Sequence, residues 1–466
     1  MKHRLFFTVF LTLLGLVKTH HAEEPVTQPN FLFIAIDDLR PELACYGSEA
    51  VLTPHIDRLA GQGTVFNRAY CQVAVCGASR ASLMTGLRPT PDRFLNYLSY
   101  AEKDAPGAMT IAEELKNGGY HTISNGKIFH HVSDTADRSW SEEPWRPPLG
   151  GASFLDPDSK NLVGGKKNRG PIFESPDVPD NAYPDGQTAD KTIADLRRMK
   201  TEGKPFFLAC GFFKPHLPFY APKKYWDLYD PASIDLADNQ YSPKNAPESL
   251  KGSGEVHSYH NRGMEYNSEA WHRNCRHGYY ACVSYIDAQI GRVMEALDEL
   301  ELRDNTVVVI WGDHGWHLGE HNFWGKHNVM HLATRSPLIV AAPGYKGEQT
   351  CDRLVEFVDL YPSLCDLAGI RPTNRNLQGT SFAPLLIDPR LTWKEAAFSK
   401  FGTAVSLVTH RYNYAEFENG EAMLYDLKND PDENTNQVAS PEYASTVKRL
   451  SRLLNEGWTA VQPPQE

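Results

Sequence analysis

Four stretches of this chain are apolar without interruption for the length of a strand: residues 31–36 (FLFIAI), 206–213 (FFLACGFF), 306–311 (TVVVIW) and the run from Pro337 (PLIVAAPG). None alternates with polar residues, so both faces of each strand must be covered, as in a parallel sheet. Residues 280–300 place Val283, Ile286, Ile290, Val293, Leu297 and Leu300 at helical spacing and lead directly into the third run. Strands alternating with helices predict an α/β fold, a large mixed and mostly parallel sheet between helices.

Three of the runs stop at residues capable of chemistry: Asp37-Asp38, Lys214-Pro215-His216 and Gly312-Asp313-His314. Ligands bind at the carboxyl ends of strands in such sheets, so the site is assembled from distant segments. Two long stretches, 134–187 and 236–277, lack periodicity, and loops of that length are candidates for shaping substrate specificity. Beyond about Arg375 the pattern changes to short strands (AVSLVTHRYNYAEF, MLYDL) and an amphipathic helix over 441–457, which predicts a small C-terminal α+β domain. The expected division is a signal peptide at 1–22, a catalytic domain at 23–374 and a C-terminal subdomain at 375–466.

The N-terminus supplies the first of these. Lys2 and Arg4 precede an apolar run over 5–17 and a small residue at Ala22, the form of a secretory signal. No later apolar run approaches the ~18 residues of a membrane span, so no membrane partner is expected. Export to a bacterial periplasm or beyond is the expected localisation, and the absence of any Asn-x-Ser/Thr acceptor leans the same way. Export permits disulfides among the eight cysteines, and no Cys-x-x-Cys spacing suggests zinc or redox chemistry. With 41% apolar and 23% charged residues, wholesale disorder is excluded. A net charge of −11 argues against a nucleic-acid partner but says nothing of a small basic pocket.

Asp37, Asp38 and Asp313, if brought together, repel one another unless a hard divalent cation neutralises them. An Asp-Asp pair alone would read as a loop cap. Arg80, Lys127, Lys214, His216 and Lys326 each read alone as surface residues. Beside histidines and aromatics at strand and loop ends, they suit enclosure of a compact anion by charge-assisted hydrogen bonds. Cys76 stands in QVAVCGASRASLMTGLRP, residues 72–89. It can be a buried thiol, half of a disulfide, a nucleophile or the precursor of a modified residue. From about Ala78 the composition suits a helix, whose free amides favour an anion.

The segment CGASRASLMTG, residues 76–86, resembles the signature of the type I, formylglycine-dependent sulfatases. Ala78 stands where proline is commoner, a permitted variant. IDDLRPELACYG, GKIFH, KPHLPF, GDHGWHLGEHNFWGK and LYDLKNDPDENTN resemble, in this order, the iduronate-2-sulfatase branch of that family. The resemblance implies an alkaline-phosphatase-like fold and conversion of Cys76 to Cα-formylglycine (3-oxoalanine) by a formylglycine-generating enzyme. It implies a Ca2+ ion held by Asp37, Asp38, the modified Cys76, Asp313 and His314. It assigns Arg80, Lys127 and Lys326 to the sulfate charge, His216 to protonation of the leaving alcohol, and His130 to the hydrated aldehyde, with His131 an open competitor. The implied activity is hydrolysis of a sulfate ester on a sulfated oligosaccharide or polysaccharide, foremost a 2-O-sulfated uronic acid of a glycosaminoglycan or algal glycan. The rivals are a phosphomonoester or phosphonate-monoester hydrolase of the same fold, and a catalytically silent glycan-binding protein with Cys76 unmodified.

Overall fold

The computed structural model describes residues 28–147, 154–164 and 169–464, so the expected signal peptide lies outside the described residues. A seven-stranded sheet forms the centre. Its strands are β1 (Asn30–Ile36), β2 (Thr64–Phe66), β3 (His121–Gly126), β4 (Phe206–Phe212), β5 (Thr306–Gly312), β6 (Leu338–Ala341) and β7 (Gln349–Cys351). They lie in the order β7-β2-β6-β5-β1-β4-β3. β1 pairs in parallel with β4 and β5, β4 with β3, and β2 with β7, while β6 runs antiparallel to β5 and β2. The four apolar runs are thus β1, β4, β5 and β6. The edges β3 (HTISNG) and β7 (QTC) are too polar for hydrophobic pattern to announce them.

Alternate residues of β1 feed two cores, as the period of a strand dictates. Leu32, Ile34 and Ile36 pack with α2 (Pro184–Glu202) and α3 (Glu269–Glu299) on one face. Phe31, Phe33 and Ala35 pack with α1 (Cys76–Thr85) and α4 (Leu360–Leu367) on the other. The periodic residues Val283, Ile286, Ile290, Val293 and Leu297 are all buried against the sheet, each contributing about 1.5–3 kcal/mol. Helix α3 nevertheless begins at Glu269, capped by the Ser268 side chain, well before the expected start at Tyr280. Its first turns bury His272, Arg276 and His277, whose polarity breaks the apolar period. Arg276 there pairs with Glu320 at 3.0 Å, and His277 bonds the Trp226 carbonyl at 2.8 Å.

The C-terminal sheet is antiparallel: β8 (Ala397–Phe401), β9 (Ala404–Val408), β10 (Tyr412–Phe417) and β11 (Ala422–Asp426). Leu407, Tyr414 and Leu424 on one face meet Leu450 and Leu453 of the terminal helix α5 (Ala444–Glu456). Ala415, Met423 and Tyr425 on the other meet Val329 and Met330, just beyond Lys326. The C-terminal sheet therefore buttresses a segment of the site.

A buried ionic cluster also ties the two parts together. Glu356 accepts from Arg88 at 2.6 Å through both oxygens, from Lys394 at 2.9 Å and from the Phe398 amide at 2.9 Å. Lys394 also reaches Asp359 at 2.6 Å. Lys394→Met leaves two buried carboxylates short of a cation, and a loss of about 3–5 kcal/mol in denaturant unfolding is expected. A loss below about 1 kcal/mol, the range of exposed pairs, would refute that role.

All eight cysteines are free thiols, seven of them buried. Among the described residues no helix is long and apolar enough to cross a membrane.

Candidate active site

The register of the parallel strands sets the site. Ile36 on β1 lies beside Phe212 on β4 and Gly312 on β5, and Gly126 on β3 lies beside Gly211. The residues that follow, Asp37, Phe213, Asp313 and Lys127, therefore leave the sheet along one edge. Gly126 has φ 75°, and a Cβ there or on Gly211 would overlap the facing backbone. Both positions need glycine for β3 and β4 to close where Lys127 departs. Asp38 takes φ 62°, an uncommon conformation at a strand end, and its amide donates to Asp313 Oδ1 at 3.0 Å.

Cys76 opens helix α1. No side chain caps that end and no acid lies in its first turn, so its free amides favour an anion beside residue 76. Gly77 has a separate reason: a Cβ would collide with the Tyr97 carbonyl, which lies over the start of the helix.

The ionic partners are dense and buried. Arg80, fully buried, donates to Asp313 at 2.9 Å, to Asp37 at 3.2 Å and to the Lys127 and Ile128 carbonyls. Lys127 pairs with the other oxygen of Asp37. Lys326 reaches Asp38 at 2.8 and 3.0 Å and Glu255 at 3.5 Å. Burial would raise the Asp37 carboxyl, but Lys127, His216 and Arg80 outweigh it and hold the group well below the usual range. Asp38 goes the other way: burial lifts it well above that range despite Lys326, with repulsion from Asp37 and Asp313 adding to the rise. Asp313 is pushed up to about 7 by burial and by Asp37.

Three histidines complete the site. His130 Nδ1 lies 3.1 Å from Cys76 Sγ, and burial together with Lys127 lowers its pKa to about 3, so the ring is neutral. His131 instead stacks on Tyr100 at 3.8 Å, which leaves His130 as the one that reaches residue 76. His216 Nδ1 donates to the Leu217 carbonyl at 2.6 Å, with Nε2 3.8 Å from Glu255 and 4.0 Å from Asp38. His314 Nδ1 donates to the Gly315 carbonyl at 3.0 Å.

The donors suit a hard cation. Asp37, Cys76, Asp313 and His314 form one buried group with ligand atoms within 4.8 Å of one another, and Asp37, Asp38 and His216 form a second. The Nε2 of His314 is buried without a hydrogen-bond partner, 3.4 Å from an Asp38 oxygen and 3.6 Å from an Asp313 oxygen. Because Nδ1 carries the proton, this nitrogen points a lone pair at two carboxylates, a repulsion that a cation between them relieves.

A cavity of about 740 Å³ opens over Cys76. Of the residues singled out by sequence, Cys76, His130, His216 and Lys326 line it; Tyr97, Arg169, Glu255 and His327 line it unannounced. Arg169 and Glu255, 3.3 Å apart, come from the two aperiodic stretches, one from each. Arg80 and Lys127 lie behind the cavity wall and act on the acids. Lys214 faces away, bonded to the His216 and Pro218 carbonyls and lying over the Tyr220 ring at 3.9 Å, where it holds the turn that carries His216. Arg146, likewise unsignalled by any motif, ties the Gly126, Phe129 and His130 carbonyls.

The comparisons with known proteins agree with this geometry. The model of the family described as Sulfatase matches residues 29–370, and that described as N-sulphoglucosamine sulphohydrolase, C-terminal, matches 319–459. Iduronate 2-sulfatase of Mus musculus is 37% identical over 73% of this chain and 69% of its own length. A sulfatase of Formosa agariphila is 31% identical over 99% of this chain and 94% of its own. The phosphonate monoester hydrolase from Silicibacter pomeroyi superposes with a TM-score of 0.76 over 94% of this chain and 96% of its own, at 23% identity, a likeness of fold alone. The fold by itself therefore leaves sulfur and phosphorus esters undecided, and the sequence relationships decide: this chain belongs to the sulfatase family of sulfuric ester hydrolases.

Proposed function

We propose that the protein is an exported sulfatase that removes sulfate from a sugar, foremost a 2-O-sulfated uronic acid of a glycosaminoglycan or algal polysaccharide. Its nucleophile is Cys76 after conversion to Cα-formylglycine by a formylglycine-generating enzyme. The observation that carries this reading is Cys76 itself, at an uncapped helix start, 3.1 Å from His130 and within the buried group of Asp37, Asp313 and His314. The hydrated aldehyde supplies two hydroxyls, one to attack sulfur and one whose deprotonation releases sulfate and restores the aldehyde. Asp37, Asp38, Asp313, His314 and residue 76 are the residues suited to hold a calcium ion, which would favour an ionised oxygen at residue 76.

The chain's own groups do the rest. His216, at the cavity wall, keeps one proton on Nδ1 for the Leu217 carbonyl, and burial together with Lys326 lowers its pKa well below the usual range. Its imidazolium form, favoured by Glu255 at 3.8 Å from Nε2, is the one suited to give a proton to the departing sugar oxygen. Neutral His130 can accept the proton of the second hydroxyl. Lys326 faces the sulfate from the cavity wall, while Arg80 and Lys127 fix the carboxylates from behind. Arg169, whose guanidinium lies over the Tyr259 ring at 4.5 Å, is the cation suited to a uronate carboxylate.

The deciding experiment is co-expression with a formylglycine-generating enzyme, a check for the loss of about 18 Da at residue 76, and sulfate release from a panel including 2-O-sulfated iduronate disaccharides. Release from the disaccharide supports the reading. Preference for phosphate or phosphonate esters under the same conditions selects the rival hydrolase, and an unmodified, inactive protein selects the glycan-binding one.

Two variants test individual roles. His216→Ala is expected to lower kcat for sugar sulfates by about 10²–10⁴ but to spare aryl sulfates, whose leaving group needs little protonation. Equal losses on both would remove His216 from the acid role. Arg169→Met should cost about ten- to a hundredfold more in kcat/KM on a sulfated uronate than on the matching neutral sugar sulfate. An unchanged ratio between the two sugars would leave Arg169 without that role.

A further inference from the structure

One aromatic residue that lines the active-site cavity, Tyr97, is open to water. Among the described residues nine large hydrophobic side chains are exposed; Leu95, Tyr97 and Leu98 are neighbours in sequence, and of the nine Tyr97 is the one that lines this cavity. Scattered single exposures are ordinary, but an exposed aromatic ring in the wall of a site is a contact surface for what the site holds. Tyr97 itself lines the cavity and is 54% exposed, with its ring 6.1 Å from that of His130.

The segment is firmly held, so these side chains are presented rather than loose. The Leu98 amide donates to Asn96 Oδ1 at 2.8 Å and the Ser99 amide to the Asn96 carbonyl at 3.2 Å. Tyr100 stacks on His131, and Asp134 accepts from the Ala101 amide at 2.7 Å and from Glu102 at 3.0 Å. The Tyr97 backbone lies so close to Gly77 that no Cβ fits between them. A rigid backbone that leaves a tyrosine and a leucine in water forgoes the burial that folding would otherwise gain from them.

We propose that Tyr97 is the platform for a second sugar ring, the one glycosidically joined to the ring that carries the sulfate. This rests on the reading of the cavity as a sugar-sulfate site and sharpens it: the substrate is an oligosaccharide or polysaccharide, and a sulfated monosaccharide leaves the platform empty. A pyranose has an apolar C–H face and a polar rim, which matches an aromatic face that ends in a hydroxyl. The cavity's volume of about 740 Å³ lies in the range that encloses a ligand larger than one ring. A lipid or an apolar peptide would cover Tyr97 but take the ion pairs of Arg169 with Glu255 and of Lys326 with Asp38 out of water with no new polar contact, whereas sugar hydroxyls and acids supply such contacts.

The test compares kcat/KM for one sulfated sugar as a monosaccharide and at the end of its tetrasaccharide. The wild type is expected to prefer the tetrasaccharide by about tenfold or more, Tyr97→Ala to bring the ratio to within about twofold of one, and Tyr97→Phe to keep most of it. No preference in the wild type, or an undiminished preference in Tyr97→Ala, overturns the platform. Equal losses of Tyr97→Ala on both substrates, with the ratio intact, assign the residue a structural role and overturn it likewise. Calorimetric binding of the unsulfated tetrasaccharide separates the two levels. If the wild type releases sulfate from no sugar, Tyr97-dependent binding keeps the platform and discards the sulfatase substrate, and absence of binding discards both.

Discussion

Cys76→Ala is expected to lower sulfate turnover by a factor on the order of 10⁵–10⁶, the scale on which an enzyme loses its nucleophile, with the thermal midpoint nearly unchanged. The fold should tolerate the change, because alanine is the best helix former and position 76 is the first of helix α1, where the thiol's polar neighbours are His130 at 3.1 Å and the group of Asp37, Asp313 and His314. Cys76→Ser is the more informative partner. A serine hydroxyl at the same helix start, among the same cations, could attack sulfur once but has no second oxygen on the same carbon to expel the sulfate. The expected result is at most one equivalent of sugar released per enzyme, followed by silence, and a mass increase at residue 76. Sustained turnover by either variant would end the formylglycine mechanism, whatever the family relationship.

What the sequence made legible follows from how each residue is held. The carboxyl ends of β1 and β5 could be read, because an unbroken apolar run that stops at acids is a signal in itself. Asp37, Asp38, Asp313 and His314 do converge, and they do so because Ile36 and Gly312 are paired in register. The cations were legible as a set but not in position. Nothing in CGASR or GKIFH says that Arg80 and Lys127 stand behind the acids while Lys326 faces the cavity. That distinction depends on which side of Asp37 and Asp38 each chain passes. Arg169, Glu255 and Tyr97 carry no local signal, since each takes its place through long-range packing of aperiodic chain. The segments of Arg169 and Glu255 could be marked as shaping specificity, but the residues could not, and Tyr97 lies outside both of those stretches. Helix α3 shows the same limit within a regular element, because buried His272, Arg276 and His277 find hydrogen-bond partners far away in sequence, in Trp324, Glu320 and the Trp226 carbonyl.

Chelation is expected to lower turnover by on the order of 10³ or more, equivalent to several kcal/mol of lost charge stabilisation, with activity restored by calcium. Three buried carboxyl groups, Asp37, Asp38 and Asp313, face the cations Arg80, Lys127 and Lys326, and burial still holds two of the three, Asp38 and Asp313, above the usual carboxylate range. A divalent ion adds two positive charges, which an anionic sulfate ester and an ionised oxygen at residue 76 can balance. Without it, Asp38 is ionised at a cost: its pKa is raised above the unfolded value, so near neutral pH its charge disfavours the folded state. Calcium at a hundredfold excess over its dissociation constant should therefore stabilise the protein by about 2.7 kcal/mol. Asp38→Asn separates this account from general salt effects. The variant removes the costly charge, so its metal-free form should melt no lower than the metal-free wild type, yet calcium should no longer move its midpoint or restore its activity. A wild type that keeps its midpoint and its turnover after exhaustive chelation would remove the ion from this site, and the lone pair of His314 would then need another partner.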